Sequence, residues 1–319
     1  TDVAPNQTYY YRVTSFDTAS PFENESFFSD SQPADTAPFT SRVNWYVNNN
    51  STTGDSFTFA TGSDTNGDGT AQKPYRTITK TLAVATPGDS VFIDAGVFAE
   101  TVVLSIGNLA LIGKDANATV IDPPGSDTGI TASNVSGLVI KNLGVISTNY
   151  GIYFDNVDLS TLSADSFSHS TVGGAHLIGG SDTNTVVSCD FLNNSTNGSG
   201  YALMITGNSN SIRNNRFLNN TAANIIVSAP AQKNTVDSNS ITYGTYGVWL
   251  NQTNAYNNTV TSNTILYSSQ IGIPLDTTDS NVIRGNLIRN ASVRGINFFN
   301  SHGNAVEQNS VEFSGSLIY

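Results

Sequence analysis

The sequence predicts an all-β fold: a right-handed three-sheet parallel β-helix with a short N-terminal capping helix. Three observations carry that expectation. Asparagine recurs at Asn184, Asn210, Asn234, Asn258, Asn281 and Asn304, at intervals of 26, 24, 24, 23 and 23 residues. A second ladder follows five residues later as Asp165, Cys189, Asn215, Asn239, Asn263, Asn286 and Asn309. In phase with both run two apolar ladders, Leu162, Val186, Ile212, Val236, Val260, Ile283 and Val306, and Phe167, Phe191, Phe217, Ile241, Ile265, Ile288 and Val311. Self-similarity at a fixed period is the mark of a repeat architecture in which each unit buries its apolar face only by stacking on the next.

Each period holds three strands. The third is marked by a Gly-hydrophobic pair, as in Gly129-Ile130, Gly151-Ile152, Gly247-Val248, Gly272-Ile273 and Gly295-Ile296. Apolar and polar residues alternate within each strand, the period of a sheet with one buried face. The asparagine ladder is expected at a tight corner where the residue itself takes a left-handed backbone, and its stacked amides are expected to bond from coil to coil. Cys189 fills one slot of that ladder and reads as a small inward-facing substitute. The solenoid is expected over residues 91–319, with no cap after its last coil. Residues 41–90 are expected to close its first coil, with Ile78, Leu82 and Ala85 on one helix face and Pro87-Gly88 as the stop.

Composition excludes several roles. Acidic residues number 25 against 13 basic, a formal charge of −12, which repels a phosphate backbone and makes nucleic acid an unsuitable partner. No apolar run approaches the roughly 20 residues of a membrane span, so membrane insertion is not expected. A single cysteine rules out an internal disulfide framework. Only 12% of residues are charged, so Ser, Thr, Asn and Gly keep the surface wet, as in secreted repetitive β proteins.

The phrases Gly62-Ser63-Asp64, Lys73-Pro74-Tyr75-Arg76-Thr77-Ile78, Pro87-Gly88-Asp89 and Asp94-Ala95-Gly96-Val97-Phe98-Ala99-Glu100 resemble the opening of bacterial pectin-lyase-like β-helix proteins. The Gly-Ile and Asn repeats resemble the parallel β-helix repeat of that superfamily, and the likeness runs over roughly residues 44–319. Residues 1–40, with Thr8-Tyr9-Tyr10-Tyr11-Arg12-Val13 and Ser29-Asp30-Ser31, resemble the last strands of a fibronectin type III module. The superfamily includes polysaccharide lyases, glycoside hydrolases, uronan epimerases and non-catalytic surface proteins, so the resemblance implies a fold more than an activity.

That resemblance directs attention to the outward residues alternating with the Gly-Ile stripe. Tyr153, Asp155, His176, Trp249, Asn251, Asn297 and Phe299 are expected carbohydrate contacts there, because aromatic faces on a long shallow groove stack sugar rings. Asp155 and Asp276 lie five coils apart, about 24 Å at the spacing of neighbouring strands, which is too far to share a substrate carbon. No catalytic residue is assigned. His176 is expected to face Ala202 in the next coil. Pro274, inside an apparent strand, lacks a ladder donor and is expected to mark a local break. Asp190 with Arg216, Arg213 with Asp237, and Arg284 with Glu307 are expected as charge pairs between coils. Asp64-Thr65-Asn66-Gly67-Asp68-Gly69 matches the opening of a calcium loop, with Asp64, Asn66 and Asp68 as ligands, although Tyr75 stands where a bidentate glutamate belongs.

These observations predict a secreted or cell-surface β-solenoid for adhesion, scaffolding or binding of extracellular polysaccharide or cell-surface glycan, without catalysis. The alternatives are a polysaccharide lyase or uronan epimerase, and a fibre subunit associating end to end.

Overall fold

A computed structural model describes residues 9–11, 32–34, 43–125 and 127–318. The chain divides into two units, Thr1–Arg42 and Val43–Tyr319. In the first, Tyr9–Tyr11 pairs antiparallel with Gln32–Ala34. Most of the segment resembling a fibronectin type III module lies outside the described residues.

The second unit is a three-sheet parallel β-solenoid of about ten turns. The first sheet has 11 strands, from Asn44–Val47 to Ala305–Glu307. The second has 10, from Gly96–Phe98 to Ser310–Glu312, and the third has 10, from Val102–Leu104 to Ser316–Ile318. Every strand pairs in parallel with the strand one coil away, and the register matches the sequence ladders. Leu162, Val186, Ile212, Val236, Val260, Ile283 and Val306 stand opposite one another in turn. All but Val306 are buried. Burying each such side chain is worth about 1.5–3 kcal/mol. In the second sheet the Phe167, Phe191 and Phe217 rings pile up with centroids 5.2 and 4.6 Å apart.

The ladder asparagines do not themselves take the left-handed conformation. Positive φ falls on the residue before each of them, on Ser188, Asn214, Ser238 and Ser262 ahead of Cys189, Asn215, Asn239 and Asn263, for example. That residue turns the chain with its side chain outside, so its identity varies widely. The next residue points inward and must find hydrogen-bond partners in the core. Asn239 does so on both sides: its Oδ1 accepts from the Asn215 backbone N–H at 2.9 Å and the Asn215 Nδ2 at 3.0 Å. Its Nδ2 donates to the Ile212 carbonyl and to Asn263 Oδ1, each at 3.0 Å. Cys189 is buried as expected and takes the same inward place, its N–H donating to Asn215 Oδ1.

The helix is shorter than the sequence pattern suggests. Among the described residues only α1 (Ile78–Leu82) is helical, with Ile78 and Thr81 buried and the Thr77 hydroxyl accepting from the Lys80 N–H. Three β-branched residues in five, Ile78, Thr79 and Thr81, are poor helix formers, and Ala85 lies beyond its end. The strand Ile271–Asp276 runs through Pro274, which stands opposite Asn297, but its pairing with Tyr246–Asn251 lapses between Tyr246↔Ile271 and Leu250↔Leu275, the local break expected where proline has no N–H to donate. Asp190–Arg216 and Arg284–Glu307 form ion pairs at 2.8 and 2.7 Å. Arg213 and Asp237 are in register without closing a pair among the described residues, whereas Arg289–Glu312, at 2.8 Å, is a pair the sequence pattern did not reveal.

Candidate functional site

The third sheet presents one outward row formed by Tyr153, His176, Met204, Ile226 and Trp249, each paired with the next. The row continues beyond Trp249 with Pro274 opposite Asn297. Beside it run Asp155 opposite Ile178 and, further along, Ser228, Asn251, Asp276 and Phe299. The expected contacts therefore separate into two groups. Tyr153, Asp155 and His176 lie at one end and Trp249, Asn251, Asn297 and Phe299 at the other. His176 and Trp249 are three coils apart, about 14 Å at the spacing of neighbouring strands.

At the first end the rings pack on one another. His176 meets Tyr150 edge-on at 4.5 Å, Tyr153 at 6.3 Å and Tyr201 at 6.3 Å. The imidazole is 6% exposed, and its Nε2 has no hydrogen-bond partner in the protein. Burial pushes its pKa down to about 4, so the ring is neutral at pH 7. Its partner in the next coil is Met204, not Ala202. Ala202 belongs instead to the inward row at the head of the third-sheet strands, beside Gly174, whose added Cβ would meet the Ala202 carbonyl at 2.8 Å. The corner between Asn193 and Tyr201 is long, which hides the register when residues are counted from the asparagines. Burial and the nearby Asp155 charge raise the Tyr153 pKa.

The other end is open. Tyr246, Trp249, Pro274, Asp276, Asn297 and Phe299 line a shallow concavity of about 260 Å³. The Tyr246 and Trp249 rings are 5.0 Å apart and inclined at 53°. The Tyr246 hydroxyl donates to Gln270 Oε1 at 3.1 Å, and Asn297 Oδ1 accepts from Arg294 at 2.9 Å. Phe299 is 59% exposed. The Trp249 indole N–H finds no acceptor in the protein. The nitrogen is itself buried, and such an orphaned donor costs about 1–3 kcal/mol. Tyr246 is absent from the expected contacts. The signal for it is its place immediately before Gly247, the strand-opening position that Tyr150 also holds before Gly151.

The calcium-like loop closes on itself. Asp64 Oδ1 accepts from the backbone N–H groups of Arg76 and Thr77 at 2.8 and 3.1 Å, and Oδ2 from the Thr77 hydroxyl at 2.8 Å. Asp68 accepts from Thr70 N–H and hydroxyl, which lowers its pKa.

The fold and this face define a parallel β-solenoid with an outward aromatic groove. The chain belongs to the NosD family, described as periplasmic copper-binding protein (NosD), whose model matches residues 111–281 and 234–319. Among solved structures, a pectate lyase, Pel9A, is 14% identical with a TM-score of 0.60, covering 86% of this chain and 79% of its own. An alginate lyase from Paenibacillus sp. str. FPU-7 is 14% identical at 0.57, covering 75% and 95%. A DFA-IIIase from Arthrobacter chlorophenolicus A6 is 11% identical at 0.55, covering 73% and 77%. These likenesses show the fold. No curated protein matches the chain by sequence.

Copper prefers imidazole, thiolate and thioether ligands in convergent sets. Among the described residues no group of three or more His, Cys, Asp or Glu could hold a metal ion. Cys189 is buried in the inward ladder, burial raising its thiol pKa well above the usual value, and His302 stands beside Asp279 at an exposed turn. His176 has one soft neighbour in register, Met204. These residues do not fit a copper site. No helix among the described residues is long and apolar enough to cross a membrane.

Proposed function

We propose that this protein is a periplasmic or extracellular solenoid that binds polysaccharide along the outward face of its third sheet and does not cleave it. On this reading residues 41–90 shield the first coil, and the coils that follow carry the groove. One observation carries the proposal: the concavity where Tyr246, Trp249 and Phe299 are set beside Asp276 and Asn297. Ring faces take the C–H-rich side of a sugar, and the flanking polar groups take its hydroxyls. Cleavage by a carboxylate pair requires two groups within about 5–9.5 Å. The two carboxylates set in register on this face, Asp155 and Asp276, stand five coils apart.

Affinity electrophoresis and pull-down with cellulose, chitin, pectin and alginate test the proposal. At least one polysaccharide is expected to retain the protein, and Trp249→Ala to weaken retention about tenfold, the equivalent of roughly 1.4 kcal/mol. Retention unchanged in the variant removes the groove from the account. Release of unsaturated sugar ends from pectin or alginate, seen by ultraviolet absorbance, would replace binding with lyase activity.

A further inference from the structure

The corner between the second and third sheets carries a second set of rings. Its left-handed position is held by Asn193, Asn219 and Asn290 in three coils, but by Tyr243 and Tyr267 in two consecutive ones, at φ +64° and +58°. Their rings stack with centroids 5.4 Å apart and planes 25° from parallel, and each residue is 48% exposed. The corner after Tyr243 is also shorter than its neighbours. Tyr246, the third residue on, already pairs with Ala223 and Ile271, whereas Ala223 and Ile271 are the fourth residues after Asn219 and Tyr267.

The shortened corner leaves a dent. Gly244 has φ +111°, and a Cβ added there would come within 2.6 Å of Asn224 Nδ2, so the tight corner admits only glycine, which adds no side chain beside the two rings. Tyr243 and Tyr267 line the resulting concavity of about 340 Å³, together with Asn219, Thr221 and Ser269. Buried Asn224 fixes its shape by donating to the carbonyls of Tyr243 and Tyr246 at 2.7 and 3.1 Å while its Oδ1 accepts from Asn220 Nδ2. One clasp thus holds a ring of the corner and a ring of the groove. Next to the dent, the buried Ser268 hydroxyl has no partner in the protein.

We propose that this corner is a second sugar site, which takes the face of one uncharged pyranose ring. The proposal rests on the polysaccharide reading of the groove and narrows its ligand class. Two near-parallel exposed rings offer a flat apolar platform, and the hydroxyls and amides at its rim suit the edge of a sugar. The dent is at the small end of ligand sites, the size of a single ring. None of its lining residues carries a charge that would offset a uronate carboxylate, and the net charge of −12 repels an anionic polymer.

Calorimetric titration of the whole chain with cellohexaose, laminarihexaose, chitohexaose and hexagalacturonate tests it, using the double variant Tyr243→Asn, Tyr267→Asn and, separately, Trp249→Ala. Asparagine is the residue of the neighbouring corners, so the double variant is expected to fold and to melt no lower than the wild type. At least one neutral hexasaccharide is expected to bind, with affinity about tenfold weaker in the double variant, roughly the loss of one ring contact. Unchanged affinity in the double variant alongside a loss in Trp249→Ala overturns the corner site and leaves the groove standing. A double variant that melts well below wild type with full affinity shows a ring pair that only packs, and overturns the site as well. Hexagalacturonate bound as tightly as the neutral sugars overturns the ligand class. Failure of all four to bind the wild type overturns groove and corner together.

Discussion

Asp165 sits in the inward ladder slot that asparagine holds at 215, 239, 263, 286 and 309, and its surroundings make it sensitive to pH. It is fully buried; Oδ1 accepts from the Leu143 N–H at 2.9 Å and Oδ2 from the Ser163 N–H at 3.0 Å. Burial outweighs both bonds and pushes its pKa up to about 8 from an ordinary value of 3.8. The folded chain therefore holds a proton that the unfolded chain has released between those two values. Stability is accordingly expected to fall by up to about 1.4 kcal/mol per pH unit as pH rises from about 6.5 to 8; below 6.5 the lowered pKa of His176 gives a slope of opposite sign that offsets it. Urea unfolding at intervals across that range is expected to show the slope in the wild type and to lose it in Asp165→Asn, which should gain about 1–3 kcal/mol at pH 7.5. An equal slope in both proteins would show that Asp165 is not its source. The ladder made this residue visible in the sequence. Its protonation was not visible, because that depends on burial on every side.

The corners are the elements that hold the coils in register, and their logic was only half legible. The period of the asparagines fixes which residues face inward, so the stacking of Asn215, Asn239 and Asn263 followed from spacing alone. The left-handed residue precedes each of them, and because its side chain faces out, Ser, Lys, Gln and Ala all occupy it without leaving a pattern. A third inward run at the next corner also escaped notice. There Ser170 N–H donates to Asn194 Oδ1 and Asn194 N–H to Asn220 Oδ1, at 3.1 and 2.9 Å, before the run gives way to Gly244. Three rungs are too few to stand out in a chain so rich in asparagine. Asn239→Ala strips the Asn215 N–H and the Ile212 carbonyl of buried partners, and is expected to cost about 2–4 kcal/mol. Ser240→Ala, on the exposed side of the next position, should stay within about 0.5 kcal/mol. Denaturant unfolding of the pair checks this, and equal midpoints would remove the ladder as a source of stability.

At the scale of the molecule, about ten near-identical coils make a surface on which any outward position becomes a row. The core rows were legible throughout, because burial imposes one residue class at a fixed period. The outward rows were less so: solvent tolerates many residue types, and corner lengths vary from coil to coil. Trp249, Asn297 and Phe299 were reached from their alternation with the Gly-Ile stripe and do lie in one groove with Tyr246. Tyr153 and His176 were reached by the same route, yet they pack into a separate, closed aromatic cluster. The chain contains two tryptophans, Trp45 and Trp249. Replacing Trp45 with Phe leaves the groove indole as the sole tryptophan emitter, read by exciting at the red edge where the 13 tyrosines do not absorb. Titrating that variant with a soluble oligosaccharide of whichever polysaccharide retains the protein tests the account most directly. A saturable change in emission, matched to the affinity measured by calorimetry, is the predicted result. Calorimetric binding with unaltered Trp249 emission would place the sugar elsewhere and contradict the groove.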